Sequence, residues 1–364
     1  MTKMLDAIVQ HLEEKPVAVQ PFESISVEEF LSNQLLSKGK SIVFFTGAGF
    51  SKAWREKYPL GAGLFSVEDF ETAKSKHNFF KLADDLLIKQ PVYQGDEKQY
   101  NQDCYDYFTE IKFCLDKFRR YPSLLPNYLD SSLICAFEDE MKAFIRDRFK
   151  AMVGVSEFNP KTKTNENKNI KRLFNKIYDT NKNIGFISTN YDFIIEKIYH
   201  ESEELQFSRG IIERDKFNNK NWCSNKVPLY KLNGGFELYE DSDGFYLDYK
   251  ERKKTPHIIL PSKEQNYDSK YYKSTFIKSA NLLRQSEILV FIGYSLPIED
   301  HTIQFLLKMF IDSHNTNKEI FIVSRSGASA LDLAKKVSQL FPSIFDNDGI
   351  KAVDGSLEDI AKLI

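Results

Sequence analysis

The stretch Ser41–Thr46, SIVFFT, runs directly into Gly47-Ala48-Gly49-Phe50-Ser51-Lys52. A continuous apolar run of this kind reads as a strand buried on both faces, the pattern of a parallel sheet. The glycine-rich turn behind it marks the carboxyl end of that strand, where open α/β sheets bind their ligands. Similar runs recur at Ile184–Ser188 (IGFIS), Leu229–Leu232 (LYKL), His257–Leu260 (HIIL), Ile288–Ile292 (ILVFI) and Ile320–Val323 (IFIV). Helical periodicities lie between and after them, at Ile170–Tyr178, Phe193–Tyr199, Phe276–Gln285, Thr302–Ile311 and Ala328–Leu340.

Strands that alternate with amphipathic helices build parallel βαβ units. The stretch 66–155 breaks the alternation. It holds no convincing strand, and Ile134, Phe137, Met141, Phe144, Ile145 and Phe149 recur at helical spacings. Residues 1–39 read as a helix-prone polar lead-in interrupted by Pro16 and Pro21, with Ser26 and Glu29 as a capping box before a short helix ending near Lys38. Lys161–Lys171 and Asp215–Asn221 are rich in Lys and Asn and read as solvated loops. The expected fold class is therefore α/β, a Rossmann-like doubly wound parallel sheet with an inserted helical module. The sheet domain takes residues 40–65 and 156–364, and the helical insertion takes 66–155.

Composition narrows the class. Aromatics make up 14% and apolar residues 42% of the chain, which argues against disorder. With a net charge of −2 there is no overall field to draw nucleic acid or an acidic membrane, and no basic-plus-aromatic stacking motif stands out. No apolar run is long enough to span a bilayer. Met1–Glu14 lacks the basic start and apolar stretch of a secretory signal, so a cytoplasmic location is expected. No two of Cys104, Cys114, Cys135 and Cys223 stand at the short spacing of a zinc-binding pair. They read as reduced, mostly buried thiols, and no metal is expected.

The strand ends carry the chemistry. Gly47 and Gly49 let a backbone turn tightly and approach a pyrophosphate at a helix start, although the third glycine of a dinucleotide fingerprint is replaced by Lys52. Taken alone, the same turn serves equally well as a plain strand end. Thr189-Asn190-Tyr191-Asp192 follows the IGFIS strand, and its Asn and Asp either point into one pocket or cap the next helix. Asn233-Gly234-Gly235 follows LYKL. Gly293-Tyr294-Ser295 follows ILVFI, and Ser295 and Asp300 either hold ribose hydroxyls or cap a helix. Ser324 follows IFIV in the same way.

The set GAGFS (47–51), STNYD (188–192), YKLNGG (230–235) and GYSLPIEDH (293–301) resembles the sirtuin superfamily in order and spacing. It resembles more closely the sirtuin-like NADase domains of bacterial anti-phage defence, which lack the zinc module of sirtuin deacylases and carry a helical insertion. The resemblance implies NAD+ as substrate, cleavage of its nicotinamide–ribose bond, and defence by NAD+ depletion. It assigns Gly47, Ala48, Gly49 and Ser51 to the pyrophosphate, with Thr189 and Gly234 among the NAD+-binding residues. Asn190 positions the water or the nicotinamide ribose, and Asp192 faces nicotinamide and the cationic centre. Gly293, Ser295 and Ser324 fall on the adenosine side, and Asp300 is among the NAD+-binding residues.

One position departs from the pattern. The family motif K-L-H-G, with His as catalytic base, reads here Lys231-Leu232-Asn233-Gly234. An amide does not accept a proton near neutral pH, so Asn233 leaves that role vacant or to another group. The competing reading is a non-catalytic NAD+- or ADP-ribose-binding subunit. Of the six histidines only His301 is near a motif, as a helix-start or ribose-contact residue. By resemblance the chain works as a homo-oligomer, with an ATPase of the HerA kind as a possible partner.

Overall fold

The computed structural model describes residues 22, 24–124, 126, 128–160, 166–199, 207–212, 215–222, 225–250, 253–311, 318–345 and 348–364. Their centre is a parallel sheet built from the buried apolar runs. Its strands are β1 (Ser24–Ile25), β2 (Ile42–Thr46), β3 (Ile184–Ser188), β4 (Phe207–Ser208), β5 (Val227–Lys231), β8 (Ile288–Ile292), β9 (Glu319–Val323) and β10 (Ile350–Val353). β6 (Leu238–Asp241) and β7 (Gly244–Leu247) form a separate antiparallel hairpin. The order across the large sheet is β1-β10-β9-β8-β2-β3-β5-β4. β2 is thus the point from which the chain winds outward in both directions, the switch point of a doubly wound sheet.

Alternation along the strands divides the core in two. Ile42 and Phe44 of β2 face one layer, while Val43 and Phe45 face the other, as period-two geometry requires. On the first face the helix Lys168–Asn181 presents Ile170, Leu173, Phe174 and Ile177, and the Phe174 ring sits 5.3 Å from that of Phe44. The helix begins where Asn167 accepts from the Ile170 N–H. On the second face the helix Gly327–Leu340 buries Ala330, Leu333, Ala334 and Val337.

Two long helices, Glu97–Arg120 and Ser131–Val153, stand between β2 and β3, each opened by an aspartate cap, Asp96 and Asp130. Ile134, Met141, Ile145 and Phe149 of the expected stripe are buried, while Phe137 and Phe144 are partly so. Phe144 stacks on Phe108 of the facing helix, 5.3 Å between rings.

Several expectations need correction. His257–Leu260 is not a strand of the large sheet, in which β5 has β3 and β4 on its two sides. The segment makes an isolated bridge from Ile258 to Gly234, and Ile259 N–H donates to Asn233 C=O. The short helix after Ser26 is α-helical only over Val27–Glu29 and continues as a π-helical stretch, Phe30–Leu35. Ser24 and Ile25, upstream of it, pair with β10 at the sheet edge. Lys168–Lys171, read as loop, is the first turn of a helix; residues 161–165 of that expected loop lie outside the described residues. The thiols are not mostly buried: Cys104 is, Cys114 is half-buried and Cys135 is exposed on an outer helix face. Cys223 lies outside the described residues. Among the described residues no helix is long and apolar enough to cross a membrane.

Candidate functional site

Strand register brings the loops together. Thr46 pairs with Ser188 on one side and Ile292 on the other, Ser188 pairs with Lys231, and Ile292 pairs with Val323. The turns that follow β2, β3, β5, β8 and β9 therefore leave the sheet side by side. They line a cleft of about 800 Å³, a size typical of cofactor and substrate sites. Tyr105 and Phe149 of the two long helices complete its wall.

The turns after β2 and β8 touch through bare backbone. Gly47 N–H donates to Ile292 C=O at 3.1 Å and Gly49 N–H to Gly293 C=O at 2.9 Å. A Cβ on Gly47 or on Gly49 would meet the Gly293 backbone at 2.7 Å. Gly293 itself has φ +64° and has the Gly49–Phe50 backbone where its own Cβ would stand. The glycines thus serve first to let two loops meet, and two of the N–H groups expected to meet a pyrophosphate are engaged by the neighbouring strand end.

Beside this contact Ser51, Asn190 and Asp192 form a knot. Ser51 Oγ donates to Asp192 Oδ2 at 2.5 Å. Asn190 Nδ2 donates to Gly47 C=O at 2.8 Å and to Ser51 Oγ at 3.0 Å. Asp192 Oδ1 accepts from the Ile194 N–H at 3.0 Å, so this residue caps the short helix Ile194–Tyr199 as well as meeting the pocket. Both of its oxygens are engaged. Burial raises its carboxyl above the ordinary range, against the lowering pull of the Ser51 and Ile194 hydrogen bonds and of Lys231 and Lys197. Lys231 Nζ donates to the Asp192 C=O at 2.6 Å and to Glu237 Oε1 at 2.9 Å. Arg209 reaches the same Glu237 oxygen at 2.5 Å. These buried charges pin the β3 and β5 turns from behind.

Asn233 sits between two loops. Its Oδ1 accepts from Tyr267 O–H at 2.9 Å, and its Nδ2 donates to Thr189 C=O over 3.4 Å. The Tyr267 hydroxyl also lies 2.7 Å from Gln265 Oε1; its one proton serves either acceptor. Gly234 has φ +73° and packs on His257 C=O and the Tyr272 hydroxyl.

The other polar candidates have distinct partners. Asp300 occupies the start of the helix His301–Leu307 but makes no capping bond. It accepts instead from Tyr294 O–H at 2.6 Å. Ser324 Oγ accepts from Ser329 Oγ at 2.9 Å, and the next helix is capped by Ser326. Ser295 is exposed at the cleft edge, and His301 is an exposed first residue of its helix and does not line the cleft.

Residues 185–345 match the family model described as SIR2-like domain. That part of the chain is similar to a SIR2-like domain. No curated protein is significantly similar to it in sequence. Among solved structures, a sirtuin studied for substrate affinity is 13% identical, with 93% of this chain and 98% of that chain covered and a TM-score of 0.42. A Sir2 structure with a p53 peptide and NAD+ is 12% identical, covers 93% of this chain and 97% of that one, and has a TM-score of 0.41.

The SIR2-like match spans β3 to β9 and so includes the Asn190, Asn233 and Gly293 turns. Ala48, Gly49, Ser51, Thr189, Asn190, Asp192, Asn233, Gly293, Ser295, Asp300 and Ser324 line the cleft, whereas Gly47, Gly234 and Gly235 do not. Tyr58, Tyr105, Tyr191 and Tyr294 wall the site, and Tyr267 reaches it through Asn233; no polar strand-end motif points to Tyr58, Tyr105 or Tyr267. Only Tyr294 and Tyr191 stand within quoted motifs, where the reading went to their polar neighbours. Burial first, then Asp192 and Glu157, holds the Tyr58 hydroxyl far above its ordinary value, so these phenols act as hydrogen-bond donors. Among the described residues no cluster of His, Cys, Asp and Glu is placed to hold a metal.

Proposed function

We propose that the SIR2-like domain binds NAD+ and hydrolyses its nicotinamide–ribose bond. The observation that carries this is the joining of Ser51, Asn190 and Asp192 by hydrogen bonds in the cleft that Asn233 also lines. A SIR2-like domain points to NAD+-dependent activity, and the long, tyrosine-walled cleft offers room for an extended dinucleotide.

The chemistry asks little of an acid. Nicotinamide is cationic in the substrate and departs neutral, through a transition state with positive charge on the ribose, as in glycoside hydrolysis. The site must hold the ribose, place a water and stabilise that charge. In this reading the Asn190 amide, fixed by Gly47 and Ser51, orients the ribose or the water. The Asp192 carboxylate, fixed by Ser51 and Ile194, supports the developing charge at close range. The turns at Ala48–Gly49 and Gly293–Ser295 carry the diphosphate and adenosine portions.

A second reading has its own observation. Asn233 offers an amide held by Tyr267 where the resembled family has a base, which suits a subunit that binds NAD+ or ADP-ribose without turnover. Product analysis separates the two. Incubation of the purified protein with NAD+ yields nicotinamide and ADP-ribose in equal amounts on the hydrolase reading. Bound but intact NAD+ supports the binding subunit, and cyclic ADP-ribose would redirect the reaction class. Use in anti-phage defence through NAD+ depletion, homo-oligomer formation and a HerA-type partner follow from the sequence resemblance and belong to the same proposal.

A further inference from the structure

Hydrolysis of NAD+ releases a proton from the attacking water, and Asn233 cannot take it. The carboxylates that line the cleft differ in what they have free. Asp192 has both oxygens engaged, by Ser51 and by the Ile194 N–H. Glu56 pairs with Lys52 at 2.8 Å and Asp332 with Lys335 at 3.4 Å, both at exposed positions. Glu358 stands on the helix Leu357–Lys362 beyond β10.

Asp300 is different. Its Oδ2 accepts from Tyr294 at 2.6 Å, its backbone opens a helix that its side chain does not cap, and among the described residues Oδ1 has no hydrogen-bond or ion-pair partner. The side chain is half-buried and lines the same cleft. Its charge acts on the Tyr105, Tyr191 and Tyr267 hydroxyls, and Tyr267 is the residue that donates to Asn233. Asp300 and Asn233 thus line one cleft.

Resting on the hydrolase reading, we propose that Asp300 is the proton acceptor of this site, its free Oδ1 receiving the proton of the attacking water. The water oxygen bonds to C1′ of the ribose, the C1′–N bond pair leaves with nicotinamide, and the proton passes to Asp300 and then to solvent. Burial raises the Asp300 carboxyl above its ordinary range, the Tyr294 hydrogen bond and His301 pull it down, and Glu299 pushes it up. A raised carboxyl is a better base for this role than an exposed one. The titratable groups whose charge couples to it from other elements are Tyr105, Tyr191 and Tyr267; Tyr294, Glu299 and His301 surround it from its own segment.

Nicotinamide release, measured across pH together with NAD+ affinity, tests the proposal on three variants. Asp300→Asn preserves the acceptor for Tyr294 and should lower kcat by about 10²–10⁴-fold, with affinity within a few-fold. Tyr294→Phe leaves the carboxylate but removes the hydrogen bond that lowers its pKa, so the acid limb of kcat should move to higher pH. Asn233→His in the Asp300→Asn background should regain turnover by supplying a base elsewhere in the same cleft. An Asp300→Asn protein with unchanged kcat and weakened NAD+ binding would make Asp300 a ribose contact and overturn the proposal. So would an unmoved acid limb in Tyr294→Phe. An unaltered chain that releases no nicotinamide fails the hydrolase reading itself, and the proposal with it.

Discussion

Ser51 and Asp192, 141 residues apart in the chain, are joined by a 2.5 Å hydrogen bond where the turns after β2 and β3 meet. The bond is possible because β2 and β3 pair in register to their last residues, Thr46 and Ser188. It orients the Asp192 carboxylate and, through Asn190 Nδ2, the amide beside it.

Removing the hydroxyl therefore has two readouts. Ser51→Ala leaves Asp192 Oδ2 buried without its donor, which costs about 1–3 kcal/mol. Urea denaturation should show that loss, and NAD+ turnover should fall further than stability alone explains. A variant with unchanged turnover would separate the knot from the chemistry.

Gly293→Ala tests the loop contact. Alanine at φ +64° carries a conformational penalty of about 1–2 kcal/mol, and its Cβ would collide with the Gly49–Phe50 backbone. The expected outcome is a lower unfolding midpoint with NAD+ affinity reduced at least tenfold. Full affinity at reduced stability would mean that the two turns need not touch for binding.

Asn233→His introduces a base at the position where the resembled family has one. In the Asp300→Asn background turnover should rise by about 10²–10⁴-fold, with a new acid limb near the ordinary histidine value of about 6.5. Tyr267, which now donates to Asn233, keeps an imidazole nitrogen as its acceptor in that variant. An unchanged rate would argue that Asn233 is not beside the reacting carbon.

The helix pair between β2 and β3 gives a pH prediction. Against the upward push of burial, Lys142, Lys112 and Arg119 hold the Glu138 carboxyl down at about 2, with Arg119 at 2.6 Å and Lys142 at 3.2 Å. A depressed carboxyl stabilises the fold above the unfolded value, about 4.3, and the contribution disappears as pH falls toward 2. Its size is about 3 kcal/mol. Glu138→Gln should lower stability at neutral pH and flatten the acid limb of a stability–pH curve; a limb of undiminished slope would place acid sensitivity elsewhere.

How much of this was legible in the sequence depended on local pattern. β2, β3, β8 and β9 showed as buried apolar runs, and their polar or glycine ends pointed to the cleft. The run HIIL at 257–260 looked the same, yet it packs on the turn after β5 through a single bridge from Ile258 to Gly234. The β6–β7 hairpin was readable from alternation around Asp241–Gly244 and was passed over. β1 and β4 are two-residue strands whose pairing depends on neighbours far along the chain. Tyr105 and Tyr267 carry no local mark because the insertion and the loop after residue 260 bring them to the site only through tertiary packing. Asp300 sits where a helix cap belongs, and only the Tyr294 contact shows its side chain turned elsewhere.

The most direct test compares NAD+ consumption by the purified chain and by Asn190→Ala under the same conditions, with nicotinamide release as the signal. The account predicts release by the unaltered chain and loss of at least 10²-fold in the variant, both proteins keeping the same fold by circular dichroism. Equal release from the two, or none from either while NAD+ still binds, would contradict it.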